Sequence, residues 1–364
     1  MRYNTLRRIG VISSGSKSRS ASVIPIGVSP DADKIALMSG TGYAGSTYTA
    51  NFPTGGQWFA DGVAISGATG LNYTMTVANE GKSLTYRRSG VISNSIQLWM
   101  YPMLGTALKC WYDAALTTSF TYQGGVNVRN WANRVSGAVA ATQNTTNKYP
   151  QFTTNGLQSG YNAVVANGTF QQFTMASGFA LGDQTVLAVM KTSDTKTTTT
   201  TSWWGSPGIW GNEVSGFPAD FAWGFQAGYP MFGASNTKFT STTKIVADGQ
   251  PMLLGYTRNN TTGLINNYHN GSFLDSGTTA AGTRTINNGT TSLFNSNSMN
   301  NVASGNATYL SAAISDFIIV DTVLTESDRA QLEGCAAWRW GLQSVLDSEH
   351  PFKNGPPGFL LEAA

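Results

Sequence analysis

The fold is decided by the stretch Asp316-Phe-Ile-Ile-Val-Asp-Thr-Val-Leu-Thr-Glu-Ser-Asp-Arg-Ala-Gln-Leu-Glu-Gly-Cys-Ala-Ala-Trp-Arg-Trp-Gly-Leu342. The unbroken apolar run at residues 317–320 predicts a strand that is buried on both faces. Thr325, followed by Asp328 three residues later, predicts the N-cap of a helix. Gly341 predicts a left-handed cap where that helix ends. A β domain closed by one helix follows from this order.

The composition extends the β interpretation to the whole chain. Charged residues make up 11% of the 364 residues, well below the usual ~25%. Thr, Ser, Asn and 41 glycines take their place. Short strands and tight turns suit such a composition better than charged helices. We therefore expect an all-β protein of two or three domains.

Residues 1–30 form a basic, Ser-rich arm that is too polar to bury a core. Its cations are Arg2, Arg7, Arg8, Lys17 and Arg19. The arm is either a flexible tail or a segment that orders on a partner such as an acidic particle surface. The other 17 basic residues face 19 acidic ones, so no nucleic-acid partner is expected. No apolar stretch suits a signal peptide or a membrane span, which predicts synthesis in the cytoplasm and no membrane insertion.

Residues 31–102 show strand-length segments that alternate with Gly, Asn and Pro turns. Trp58 is the expected core aromatic, and Asp61-Gly62 is the expected hairpin turn. Residues 57–82 resemble the middle of a bacterial and phage Ig-like domain, although the paired cysteines of antibody domains are absent. The resemblance implies a small β-sandwich.

After a linker at residues 101–105, a larger domain is expected at residues 106–346. Leu108-Lys-Cys-Trp-Tyr-Asp-Ala114, Ala337-Trp-Arg-Trp-Gly-Leu342 and His350-Pro-Phe-Lys353 resemble the start and end of LamG-like, concanavalin A-like jelly rolls, which are common in bacteriophage virion proteins. The resemblance implies a jelly-roll sandwich closed by a C-terminal helix. Residues 347–364 would be a tail along its surface.

The two cysteines, Cys110 and Cys335, leave two alternatives open. The ends of a domain often lie close together, so the pair could form a disulfide. In a cytosolic product, two buried thiols that act as small core hydrophobes are the competing interpretation.

Acidic residues are too scattered to suggest catalysis. Glycoside hydrolysis needs two carboxylates about 5–9 Å apart. Three acidic pairs stand two residues apart, in the termini or at the helix start: Asp31/Asp33, Glu326/Asp328 and Asp347/Glu349. The acidic strand of LamG-related glucanases is absent, and the remaining carboxylates do not cluster as calcium ligands would. We expect no enzyme, no metal and no cofactor.

The sequence contains more side chains suited to carbohydrate binding than side chains suited to catalysis. Aromatic faces stack on sugars, while Asn, Gln and Thr bond to hydroxyls. An exposed aromatic platform is predicted in a Gly- and Pro-rich region, from Trp203, Trp204, Trp210, Trp223 and Tyr229, with Phe225 beside them. His269 next to an Asn-Gly turn is a further candidate, whereas His350 is expected to pack and hydrogen-bond. The alternative for the platform is that its rings belong to the core.

The preferred interpretation is a non-enzymatic structural protein of a phage particle, either a head decoration or a tail fibre adhesin. Its LamG-like domain would bind cell-surface glycans or proteins, and its N-terminal region would dock it on other virion proteins. Copies of the chain could associate, which would add avidity. The competing interpretations are a glycan hydrolase on the same scaffold and a cement protein without a ligand.

Overall fold

The structure is a computed structural model. It describes residues 37–38, 47–51, 55–88, 91–93, 95–98, 100–176, 182–196, 203–214, 216–246, 249–284, 290–297 and 308–361. The basic arm with Arg2, Arg7, Arg8, Lys17 and Arg19 lies outside these residues.

The N-terminal part contains short strands joined by tight turns. They are β1 (Leu37–Met38), β2 (Thr47–Ala50), β3 (Gln57–Ala60), β4 (Val63–Ala64), β5 (Asn72–Thr74), β6 (Leu84–Arg88), β7 (Val91–Ile92) and β8 (Ser95–Leu98). A 3-10 turn at Val77–Asn79 precedes β6.

The remainder of the chain begins with a 3-10 helix at Tyr101–Ala107 and continues as strands. They are β9 (Leu108–Asp113), β10 (Phe120–Tyr122), β11 (Val128–Trp131), β12 (Ala141–Thr142), β13 (Gln151–Gln158), β14 (Tyr161–Asn167), β15 (Phe173–Ala176), β16 (Gln184–Lys191), β17 (Gly208–Gly211), β18 (Phe221–Gln226), β19 (Tyr229–Ala234), β20 (Thr237–Thr240), β21 (Pro251–Arg258), β22 (Leu264–His269), β23 (Ser272–Thr278), β24 (Thr290–Leu293), β25 (Ser311–Val320) and β26 (Gly358–Leu361), with helix α1 (Glu326–Arg339) before β26.

Two facing sheets form the small N-terminal sandwich. One has the order β1-β2-β5, and the other has the order β26-β8-β6-β3-β4 with β7 beside β6. Trp58 is fully buried between them, with its ring 5.3 Å from that of Tyr86. Asp61 and Gly62 both have positive φ, as a tight hairpin turn between β3 and β4 requires. The sequence predictions for Trp58 and for this turn are confirmed.

The large sandwich packs a nine-stranded sheet against an eight-stranded one. The first has the order β10-β11-β12-β15-β24-β17-β18-β19-β20, and the second has the order β13-β14-β25-β16-β21-β22-β23 with β9 also paired to β25. All pairings within these sheets are antiparallel. The all-β prediction with one closing helix is confirmed.

The C-terminal stretch behaves as its sequence indicates. Residues 317–320 are all buried in β25, which is bordered by β16 on one side and β9 on the other. The Thr325 hydroxyl accepts a hydrogen bond from the Asp328 backbone nitrogen at the start of α1, and Gly341 has φ 67 just past its end. Both predicted caps are confirmed. None of the described helices is long and apolar enough to cross a membrane.

The chain after α1 does more than follow the surface. The carbonyl of Phe352 accepts a hydrogen bond from the Trp338 indole, and the Lys353 ammonium donates to the carbonyls of Ser344 and Leu346. Beyond these anchors β26 pairs with β8, so the end of the chain completes a sheet of the N-terminal sandwich. The tail prediction missed this strand.

A buried charge cluster also joins the two sandwiches. We use this name for Glu80 of the N-terminal sandwich together with Asp113, Arg134 and Arg339 of the large one. The Arg339 guanidinium contacts Glu80 and lies 2.7 Å from Asp113, and Arg134 lies 3.3 Å from Glu80. Both carboxylate side chains are fully buried. Nearby, Tyr101 is buried and donates to Asp316, so the expected linker is part of the large core.

Cys110 and Cys335 are both free and buried. The Cys335 sulfur lies 3.6 Å from the sulfur of Met100. Burial raises the pKa of the Cys110 thiol well above its usual value. The disulfide alternative is therefore wrong, and the two thiols act as core side chains.

Candidate functional site

Most of the predicted aromatic platform lies in the interior. Trp210 and Trp223 are fully buried between the sheets, where their rings lie 6.0 Å from Phe317 and 5.0 Å from Tyr256. Trp203 covers the outer side of the nine-stranded sheet and is 1% exposed. These three indoles have no face free for a sugar, so the prediction is corrected to core packing for each of them.

The remaining predicted site residues are separate from one another. Trp204 is 38% exposed and packs edge-on against Trp203 at 5.9 Å. Tyr229 is half-buried at the start of β19. His269 is half-buried at the end of β22, and burial lowers the pKa of its imidazole. The structure does not bring these three together into one surface.

A polar groove lies at one end of the large sandwich, where β14, β16 and β25 begin or end. We call it the Phe170 groove. It is lined by residues 167–169, residues 193–196 and Ser311, and it has a volume of about 500 Å³. Hydroxyl and amide side chains dominate this lining, with one carboxylate, Asp194, and one ammonium, Lys196.

Lys196 ties the three segments of the groove together. Its ammonium donates to the Asp194 carboxylate at 2.8 Å, to the Gly168 carbonyl at 3.3 Å and to the Tyr309 carbonyl at 2.8 Å. The same carboxylate accepts from the backbone nitrogens of Lys196 and Ser311. Charge-assisted bonds of this kind are the stronger ones in proteins. The pair therefore acts as a clamp that positions the groove walls.

The loop after β14 carries an exposed aromatic ring. Asn167 accepts a hydrogen bond from the Thr169 backbone nitrogen at 2.9 Å and donates its own backbone N–H to the side chain of Gln171 at 2.8 Å. Gly168 has φ 75. These local bonds fold the chain tightly, so that Phe170 leaves the turn beside the groove.

Phe170 has a backbone conformation that bulky residues avoid. Its φ is 63, in the left-handed region that costs a residue with a side chain roughly 1–2 kcal/mol. Its ring is 42% exposed and packs edge-on against Tyr309 at 5.5 Å. Strain of this kind persists only where surrounding contacts impose it, and it concentrates at functional sites. The loop therefore holds an aromatic ring at the rim of the groove in a conformation that costs free energy of folding.

The groove and its ring offer the two contacts that a sugar needs. An aromatic face can stack on a pyranose, while the Thr169, Ser193 and Thr195 side chains offer hydroxyls that donate and accept. The lone lining carboxylate already accepts three hydrogen bonds. The arrangement is chemically suited to holding a polar ligand.

No family model matches the chain, and a search of curated protein sequences gives no significant match. Among solved structures, the chain is similar to the binding domain of Paraclostridial Mosquitocidal Protein 1, with 11% identity and a TM-score of 0.43, over 64% of this chain and 52% of that one. It is also similar to domain 4 of AbnA, a GH43 extracellular arabinanase from Geobacillus stearothermophilus, in complex with arabinotriose. The identity is 16% and the TM-score is 0.41, over 62% of this chain and 98% of that one.

A third similar structure is the CBM40 of a Ruminococcus gnavus IT-sialidase bound to α2,3-sialyllactose, with 13% identity and a TM-score of 0.31, over 41% of this chain and 80% of that one. The chain spans about half the length, 52%, of the mosquitocidal protein's binding domain. Two of these three structures contain a bound carbohydrate, arabinotriose in one and α2,3-sialyllactose in the other. Each TM-score is below 0.5, so these similarities do not identify a ligand of this protein.

Proposed function

We propose that this protein is a non-enzymatic structural component of a phage particle, a head decoration or tail fibre adhesin, whose LamG-like sandwich binds cell-surface glycans. It would lie on the virion surface after synthesis in the host cytoplasm, docked on other virion proteins by its N-terminal arm. The particle setting rests on the sequence resemblance of residues 108–114 and 337–353 and on the five cations of residues 1–30.

The glycan part rests on one observation, the strained and exposed Phe170 beside a groove of hydroxyl and amide groups. The backbone of Phe170 carries a strain of roughly 1–2 kcal/mol, although its ring is 42% exposed and contributes little to the core. Stacking on a ligand gives that ring a role. Weak binding at one groove would become strong attachment when many copies, or a homo-oligomer, present it together.

Binding is favoured over hydrolysis by the state of Asp194. Its carboxylate is buried and engaged by Lys196 and by the Ser311 backbone. Hydrolysis of a glycosidic bond needs one carboxyl group to donate a proton and a second to act as nucleophile or base. Among the residues that line the groove, Asp194 is the one carboxylate, and protein donors already occupy it, so the lining lacks the pair of carboxyl groups that hydrolysis needs.

A glycan array probed with the full chain tests the proposal. We expect binding that Phe170→Ala reduces at least tenfold, the size typical of truncating an aromatic binding residue. Phe273→Ala is the matched control, because Phe273 is 57% exposed on β23, away from the groove. Absence of binding to every glycan would favour a cement protein, and release of reducing sugar from a polysaccharide would favour a hydrolase.

A further inference from the structure

The charge around the Phe170 groove is not balanced. Within the lining, the Asp194 carboxylate and the Lys196 ammonium neutralise each other at 2.8 Å. Two further lysines stand at the rim, Lys148 beside Phe170 and Lys244 beside Thr195. Neither has a carboxylate within ion-pair distance among the residues that the structure describes. In the part of the chain that the structure describes, the surroundings of the groove therefore carry two positive charges without an ion-pair partner.

Lys148 is held next to the ring. Its ammonium lies 5.8 Å from the centre of the Phe170 ring, within the range of a cation–π contact. Its backbone carbonyl accepts a hydrogen bond from the Gln172 nitrogen, so the loop with Lys148 and the loop with Phe170 are joined. A sugar that stacks on this ring would place its substituents within reach of the ammonium.

Lys244 stands at the other rim. A side-chain carbon at Gly228 would lie 2.9 Å from Lys244 Cε and 3.4 Å from Thr195 Cγ2. The Lys244 and Thr195 side chains therefore both lie close to this glycine, whose φ of 87 is a conformation that favours glycine. Lys244 is exposed, so its charge faces solvent beside the groove wall.

We propose that the ligand of the Phe170 groove is an anionic glycan, whose carboxylate, sulfate or phosphate groups are met by Lys148 and Lys244. This inference rests on the proposed glycan binding and specifies its chemical class. The sugar ring stacks on Phe170, and the hydroxyls face the polar wall of residues 193–195. Lys196 does not bind the anion, since its three donors are already used by protein acceptors. An anion on Lys148 or Lys244 gains a charge-assisted hydrogen bond without disturbing that clamp.

The test measures binding of the full chain to matched pairs of polysaccharides that differ only in charge. Polygalacturonate and alginate are compared with their carboxyl-reduced forms, which distinguishes carboxylates. Dextran sulfate is compared with unsulfated dextran, which reveals a sulfate requirement. A phosphorylated mannan is compared with its dephosphorylated form, which reveals a phosphate requirement. We expect at least one charged polymer to bind about tenfold more tightly than its neutral partner. The preference should weaken at high salt, because Lys244 is exposed and Lys148 is half-buried, so that salt screens both charges.

The variants assign the effect to residues. Lys148→Gln and Lys244→Gln should each lower affinity for the charged polymer roughly threefold, the factor of a partly exposed ion pair, so that the two together account for the tenfold preference. Lys148→Arg should retain it. Lys82→Gln, in the N-terminal sandwich, is the control and should change nothing. Phe170→Ala should weaken charged and neutral polymers alike.

The outcomes separate this inference from the proposed function. Equal binding of the charged and neutral polymers, or tighter binding of the neutral ones, overturns the anionic ligand and leaves glycan binding standing. A charge preference that survives Lys148→Gln and Lys244→Gln together overturns the role of these lysines. Binding to no polysaccharide in the panel and to none on a glycan array overturns both.

Discussion

Replacing Glu80 by glutamine removes one of the two carboxylates that balance Arg134 and Arg339 in the buried charge cluster. Glu80 comes from the N-terminal sandwich, and its partners come from the large one. The side chains of Glu80 and Asp113 are fully buried, and that of Arg339 is 2% exposed. Glutamine has the same shape, so the change tests charge rather than packing.

The expected loss follows from this geometry. Removing one member of a buried ion pair costs about 3–5 kcal/mol, because the remaining charge stays desolvated. Arg134 is 16% exposed and also contacts Asp113 at 2.5 Å, so part of the charge stays compensated. We therefore expect about 3 kcal/mol, the lower end of the range. The loss should fall mainly on the N-terminal sandwich, whose own buried hydrophobic cluster has eight members among the described residues.

Native-state hydrogen exchange measures this loss strand by strand, which suits a protein of two sandwiches. In Glu80→Gln, amides of β3 and β6 should exchange roughly 150-fold faster, the factor that corresponds to 3 kcal/mol, while the centre of β16 changes little. The double variant Glu80→Gln/Arg339→Gln should lose at least 1.5 kcal/mol less than the sum of the single changes.

Glu349→Gln, at an exposed position, is the control and should stay within about 0.5 kcal/mol. A loss below about 1 kcal/mol for Glu80→Gln, or strict additivity in the double variant, would refute a charge-coupled joint between the sandwiches.

Three further outcomes are expected. Burial raises the pKa of Asp113, but the Arg339 and Arg134 charges outweigh this effect and hold the pKa below its usual value. The stability that the ionised Asp113 contributes is therefore present above pH ~4 and is lost as the pH falls through its pKa in the folded protein. Acid unfolding curves of Asp113→Asn should lack this loss. Phe170→Gly should leave the free energy of unfolding within about 1 kcal/mol, because relieved strain offsets lost ring packing, yet abolish binding on the glycan array. Lys196→Met should speed hydrogen exchange at the Gly168 and Ser311 amides and abolish glycan binding, whereas Lys196→Arg should retain part of the binding. Unchanged exchange in Lys196→Met would contradict the role of Lys196 as a clamp.

The fold could be predicted where its signals are local. The run at residues 317–320, the Thr325 cap and the Gly341 cap each depend on neighbours within a few positions, and all three are confirmed. The pairing of β26 with β8 has no local signal. It joins residues more than 250 positions apart, such as Gly358 and Leu98.

The predicted aromatic platform is wrong because tertiary packing covers both faces of the strands that carry it. β17 and β18 lie inside the nine-stranded sheet, and Trp223 packs on the opposite sheet. The other face is covered by Trp203, whose ring fits over Gly233 because a side-chain carbon there would lie 2.1 Å from it. In the sequence this glycine suggests a loop, but in the structure it allows the Trp203 ring to pack closely on the strand.

The Phe170 groove could not have been found from sequence. Its walls join segments far apart in the chain, since Ser311 donates to Asp194 across 117 positions. The left-handed backbone of Phe170 depends on the Asn167 and Gln171 bonds around it rather than on its own residue type. An Asn-Gly-Thr-Phe turn resembles many other exposed loops.

Glycan binding in the Phe170 groove can be measured with three proteins, wild type, Phe170→Ala and Phe273→Ala. Their binding to the tightest glycan on an array is compared, with unfolding curves recorded in parallel. We expect at least a tenfold loss for Phe170→Ala alone, about 1.4 kcal/mol of binding free energy. Equal binding by all three proteins, or an equal loss in both variants, would contradict it.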